Sequence, residues 1–103
     1  MIQVEICEKK SVEKIIVKGH ALFSDYGKDI VCAACSAIVT TSINAMVRYD
    51  AKALEYNQKN GVELTILKHT DVIDLLVENM IDLLSQLESQ YPKNITIRRC
   101  SLC

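Results

Sequence analysis

Residues 29–49 read DIVCAACSAIVTTSINAMVRY, and where this stretch is housed decides the fold. Asp29 suits a helix N-cap, because a short acidic side chain accepts from first-turn N–H groups that have no partner within the helix. The pattern predicts a helix from about 30 to 49. From Ile30 to Val47 there are eighteen residues without a charge, which touches the length of a membrane-spanning helix. Ser36, Thr40, Thr41, Ser42 and Asn44 interrupt the run, and small residues (Ala33, Ala34, Ala37, Ala45) dominate over Leu and Phe. A helix hydrophobic nearly all round is also what a soluble fold buries. The buried-helix reading is preferred, and no membrane partner is expected.

Outward from this helix the periods change. Residues 2–7 alternate, with Ile2, Val4 and Ile6 on one face, and residues 12–18 are rich in Val and Ile. With the polar turn at Glu8-Lys9-Lys10-Ser11 between them, they read as a hairpin ended by Gly19. Residues 20–28 form a loop. Beyond the helix, residues 53–57 and 62–68 flank Asn60-Gly61, a strong hairpin signal. A second helix is capped by Thr70 or Asp71. Its Ile73, Leu76, Val77, Met80, Leu84, Leu87 and Tyr91 recur at helical spacing, and Pro92 stops it. Ile95 and Ile97 mark a short last strand. The order β-β-α-β-β-α-β implies a two-layer α+β domain over residues 1–103, with a mixed β-sheet of four to five strands and two helices.

The 103 residues bound one domain with one modest core, to which a partner subunit would add stability. Net charge is −1, and the doublets Lys9-Lys10 and Arg98-Arg99 read as solvated surface. No basic stripe suggests nucleic acid as the main ligand. Met1 leads straight into strand-like alternation, so no signal peptide is expected. Five cysteines without an export signal suit a reducing, cytoplasmic setting.

Cys32 falls about three residues into the helix that Asp29 caps. Helix N-terminal N–H groups and partial positive charge favour a thiolate, the nucleophilic form. The same groups, that of Cys32 among them, could hold the oxyanion formed when a thiolate attacks a carbonyl. Asp29 acts against this: its carboxylate would cap those donors and repel a thiolate, so the sign of any pKa shift stays open. His20 at a strand end could take the thiol proton and return it to a leaving amine. Taken singly, both residues also fit packing or surface roles, and His69 has only a surface reading. Cys32/Cys35 and Cys100/Cys103 form two Cys-x-x-Cys pairs, which leaves a zinc or redox protein as an alternative. A non-catalytic binding module in which His20 and Cys32 merely pack is a third reading. Ser36 lies one turn after Cys32, and Asp25, Tyr26 and Gly27 could grip a substrate. Phe23 could cover a site, with Gly19 and Gly27 as hinges.

Gly19-His20-Ala21, Tyr26-Gly27, Asp29-Ile30-Val31-Cys32-Ala33-Ala34 and Ser36-Ala37 together resemble the ribosomal-processing cysteine protease family, Prp. The sharp part covers about residues 19–37. The resemblance implies a cysteine endopeptidase that removes the N-terminal extension of large ribosomal subunit protein twenty-seven, cutting after an aromatic residue in a hydrophobic stretch. It places the catalytic histidine on His20 and the nucleophile on Cys32, with Asp29 and Ser36 supporting and Gly19, Phe23, Tyr26 and Gly27 in the substrate-binding loop. It implies a cytoplasmic homodimer with a ribosomal protein precursor as substrate and with no metal or cofactor. Cys35, Cys100 and Cys103 are not required by the family motif.

Overall fold

Residues 1–19 and 29–101 are described by the computed structural model. The expected loop 20–28, with His20, Phe23, Asp25, Tyr26 and Gly27, lies outside them, as does Cys103. Alternation in β1 (Ile2–Glu8) puts Ile2, Val4 and Ile6 on one side, all buried, and the polar residues on the other. β1 pairs antiparallel with β2 (Val12–Lys18), and a register shift at Cys7/Glu8 absorbs the turn. β3 (Leu54–Asn57) pairs with β4 (Val62–Ile66), which in turn lies antiparallel to β2. β5 (Ile95–Cys100) runs parallel to β1. The five strands stand in the order β3-β4-β2-β1-β5, a mixed sheet as expected.

Helices α1 (Ile30–Asp50) and α2 (Asp71–Gln90) share one core with the apolar face of that sheet. α2 sends Ile73, Val77, Met80, Leu84 and Leu87 inward as its spacing predicts, together with Ile81. Each such side chain removed from water contributes about 1.5–3 kcal/mol. α1 departs from the expectation of a helix buried nearly all round. Val31, Cys35, Val39, Ser42, Ile43 and Met46 are buried, while Ile30, Ser36, Ala37, Thr40, Thr41 and Asn44 are exposed. Alanines and hydroxyls tolerate water at little cost, so a stretch without charge need not be wrapped on every side. The Ile30–Ala53 stretch is long and apolar enough to cross a membrane by composition, yet one of its faces is seated in this core.

The second hairpin is shorter than the alternation suggested. Ala53 ends a 3-10 turn, Ala51–Ala53, whose entry is fixed by the Lys52 N–H donating to Asp50 Oδ1 at 3.0 Å. At the other end, Leu67 and Lys68 both donate to the Ala53 carbonyl, at 2.7 and 3.1 Å, and so leave the ladder. Gly61 takes φ +81°, and a Cβ there would strike the Val17 carbonyl of β2, which is why glycine stands at this turn. At the opposite edge, the Ile97 N–H donates to Glu88 Oε2 of α2 at 2.7 Å. An edge-strand donor is thereby covered by the helix.

Candidate active site

Asp29 stands outside α1 with extended backbone and caps it. Its Oδ1 accepts from the N–H of Val31 at 3.0 Å and of Cys32 at 2.9 Å, and its carbonyl accepts from Ala33 at 3.1 Å. The first turn is therefore held firmly, and with it the direction in which Cys32 leaves the helix. Cys32 is half-buried and lines a cavity of about 260 Å³ together with Gly19 and Ser36. Gly19 ends β2 at φ +90°, where a Cβ would collide with the Met1 carbonyl. The residue that immediately precedes His20 thus opens on the same cavity as Cys32. Of the residues singled out in sequence, Gly19, Cys32 and Ser36 come together here, with Asp29 at the helix cap. His20, Phe23, Tyr26 and Gly27 lie outside the described residues.

One expectation is corrected. The Cys32 N–H, one of the donors that could have held an oxyanion, is occupied by its expected rival Asp29. A carboxylate two bonds from its own backbone reaches the first-turn donors without ordering anything else, so it competes well for them.

The cysteines separate by environment. Cys35 is 4% exposed, and burial, with the neighbouring Cys32, pushes its thiol up to about 11. A thiol in that state is inert at neutral pH. Cys100 pairs in register with Cys7, five residues along β1 from the Ile2 that lines the cavity. At about 3.3 Å per residue this is roughly 16 Å, and alternation places Cys7 opposite to the core-facing Ile6. Cys100 therefore stands beside Cys7 and away from the cavity that Cys32 and Cys35 line, and no group of three or more His, Cys, Asp or Glu suited to a metal occurs among the described residues. His69 is structural: Nδ1 lies 2.9 Å from Asp74 Oδ1 and Nε2 lies 3.3 Å from Glu13 Oε2.

The sequence pattern of the family described as Cysteine protease Prp matches residues 1–96. The chain belongs to that family. Its curated relatives include the ribosomal processing cysteine protease Prp of Staphylococcus aureus strain Mu50, 29% identical over 100 residues that span 93% of this chain and 94% of the relative. The Prp of Bacillus subtilis strain 168 is 28% identical, over 94% of this chain and 96% of its own. The fold superposes with a TM-score of 0.91 on a crystal structure of the essential S. aureus Prp in complex with a covalently linked product peptide; identity is 28%, covering 97% of this chain and all of that one. A second S. aureus Prp structure, with a substrate peptide, gives 0.84 at 28% identity, with the same coverage. The α+β fold expected from the order of elements and the cysteine protease class expected from the motif are therefore those of the Prp family.

What the motif did not show is the far side of the cavity. Val39 and Thr40 of α1 face Gln58 and Val62 of the second hairpin across it. The α1 residues follow from Cys32 at helical spacing. The hairpin residues carry no signal that links them to Cys32, because more than twenty residues separate them.

Proposed function

We propose that this chain, acting as one domain, is a ribosomal-processing endopeptidase with Cys32 as nucleophile and His20 as base. His20 takes the proton of the Cys32 thiol, and the thiolate attacks the scissile carbonyl. The protonated His20 gives its proton to the leaving amine, which departs as the C–N bond breaks and a thioester remains. His20 then deprotonates a water that attacks the thioester, releasing the carboxylic acid and restoring the thiol. Asp29 positions the first turn, and Ser36 borders the cavity. The observation that carries the assignment is the contrast between two cysteines of one helix: Cys32 is half-exposed at the cavity, whereas Cys35 is buried with a thiol raised to about 11.

The substrate proposed is the N-terminal extension of large ribosomal subunit protein twenty-seven, cut after an aromatic residue, in the cytoplasm. The name of the relatives, ribosomal processing cysteine protease, supports this. A homodimer is proposed as well, supported by Val72, Leu75 and Leu83, which stand exposed on α2. Incubation with the unprocessed ribosomal protein, with the product's N-terminus read by mass, is the test. Cleavage is expected from the native chain and from Cys35→Ala, and none from Cys32→Ala or His20→Ala. Processing by Cys32→Ala would overturn the assignment.

A further inference from the structure

The cavity at Cys32 does not end where the chemistry does. A second cavity of about 180 Å³ continues from it, and the two share Val39, Thr40, Gln58 and Val62. One wall is a stripe of α1 that runs from Cys32 through Thr40 to Val47, a rise of about 22 Å at 1.5 Å per residue. The other wall is the second hairpin, where Gly61 sits without a side chain against β2. Tyr56 lies at the far end. It shares the helix-facing side of β3 with the buried Leu54, two residues earlier, yet is 51% exposed. A core-side aromatic left open at the end of a continuous trough is a place for a ligand side chain, not for solvent.

The lining chemistry narrows the occupant. Ser36, Thr40, Asn44 and Gln58 supply hydroxyls and amides, able to bond a peptide backbone. The one charged residue lining either cavity, among the described residues, is Lys18, whose Nζ lies 3.8 Å from Glu5 Oε1. An extended peptide rises about 3.3 Å per residue, so the trough holds roughly six or seven residues of one strand. Cys32 is at its head, so only one half of a cleaved peptide can lie in it.

We infer that the trough between α1 and the β3–β4 hairpin binds the acyl half of an extended, uncharged peptide, with Thr40 and Gln58 selecting the residue about four positions before the cut. The inference rests on the assignment of Cys32 as nucleophile. Thr40 lies eight residues from Cys32, about 12 Å along the helix, which an extended strand covers in between three and four residues. The acyl half must stay seated through both attack and hydrolysis, whereas the amine half must leave between them. A trough that held the leaving half would delay the entry of water; one that holds the acyl half keeps the thioester seated until water attacks it.

The test uses the full chain and synthetic peptides that span an aromatic-site cut, shortened one residue at a time from either end. Removing the fourth residue before the cut should raise KM about tenfold for the native chain and change little for Thr40→Lys. Thr40→Glu should gain about tenfold over the native chain on a peptide with lysine at that position. Thr40 is exposed, so both variants should keep the native melting temperature. Unchanged KM in Thr40→Lys and Gln58→Lys on the full peptide overturns the trough. Equal losses on shortening the leaving half overturn its direction. Titrating a fluorescent peptide into Cys32→Ala, with and without Thr40→Lys, reads the trough without catalysis. Thr40-dependent binding by a Cys32→Ala chain that still cuts would sustain the trough and refute the nucleophile, while loss of cleavage in Cys32→Ala with binding indifferent to Thr40 does the reverse.

Discussion

α1 begins with Asp29 as its cap and no acidic residue in its first turn, whereas α2 begins with Thr70 and carries Asp71 and Asp74 there. At α2, Thr70 Oγ1 accepts from Ile73 at 3.2 Å, and the two carboxylates complement the positive end of the helix. Asp74 also holds His69, which reaches across to Glu13 of β2. Thr70, Ile73 and Asp74 of that turn are each tied to their surroundings and serve the fold. At α1 one carboxylate holds the first donors, Ile30 and Ala33 stand where α2 has Asp71 and Asp74, and the third residue after the cap is Cys32, at a cavity. The same element start is closed in one helix and left with a reactive group in the other. Both are stable because the cap, not the charge count, satisfies the N–H groups.

Substitutions at the two turns should separate sharply. Cys32→Ala should lower the cleavage rate by on the order of a thousandfold or more, with the thermal midpoint nearly unmoved; an equal loss from Thr70→Ala would break the comparison. Leu84→Ala, at a fully buried site of α2, should cost about 2–5 kcal/mol of stability, read from the urea midpoint. Asp29→Ala and Thr70→Ala each remove a cap and should cost about 0.5–2 kcal/mol. Only Asp29→Ala should change the cleavage rate as well, because only its helix start positions a nucleophile. Comparable rates in the two variants would erase the distinction.

Two smaller effects depend on pH. The folded chain keeps Cys35 protonated up to about 11 while the unfolded chain ionises near 9.0. Above pH 9 the unfolded state therefore binds fewer protons, and stability falls as pH rises toward 11. Cys35→Ala should flatten that part of a stability-against-pH curve measured by denaturant. His69 has its pKa raised above 6.5, first by the hydrogen bond to Asp74 and then by Glu13, against a desolvation that lowers it. Its contribution is present below 6.5 and is lost as pH rises through the higher folded value. The stability difference between the native chain and His69→Gln should shrink over that rise, and by little, because the cluster is solvent-screened.

Local features were legible wherever one residue type answers to one backbone need. Asp29 and Thr70 cap as their short oxygens allow, Gly19 and Gly61 take the positive φ that closes their strands, and α2 buries the face its period marks. The Gly19, Asp29 and Cys32 cluster was legible because a strand end and a helix start are natural neighbours in a small sheet. The occupied Cys32 N–H was foreseen only as a competition, since sequence names the donor and the rival but not the winner. The outer face of α1 was misjudged, because absence of charge says what a surface tolerates and not what covers it.

By itself, then, the sequence determined the elements, their caps and the identity of the reactive pair's family, since each depends on interactions within a few residues or on a motif of fixed spacing. The tertiary structure alone decided that β5 joins β1 in parallel, that Cys100 stands beside Cys7 far from Cys32, and that the second hairpin walls the groove. Those facts follow from which edges and faces find each other in the folded chain, and burial over long sequence separations leaves no periodic trace by which they could be read.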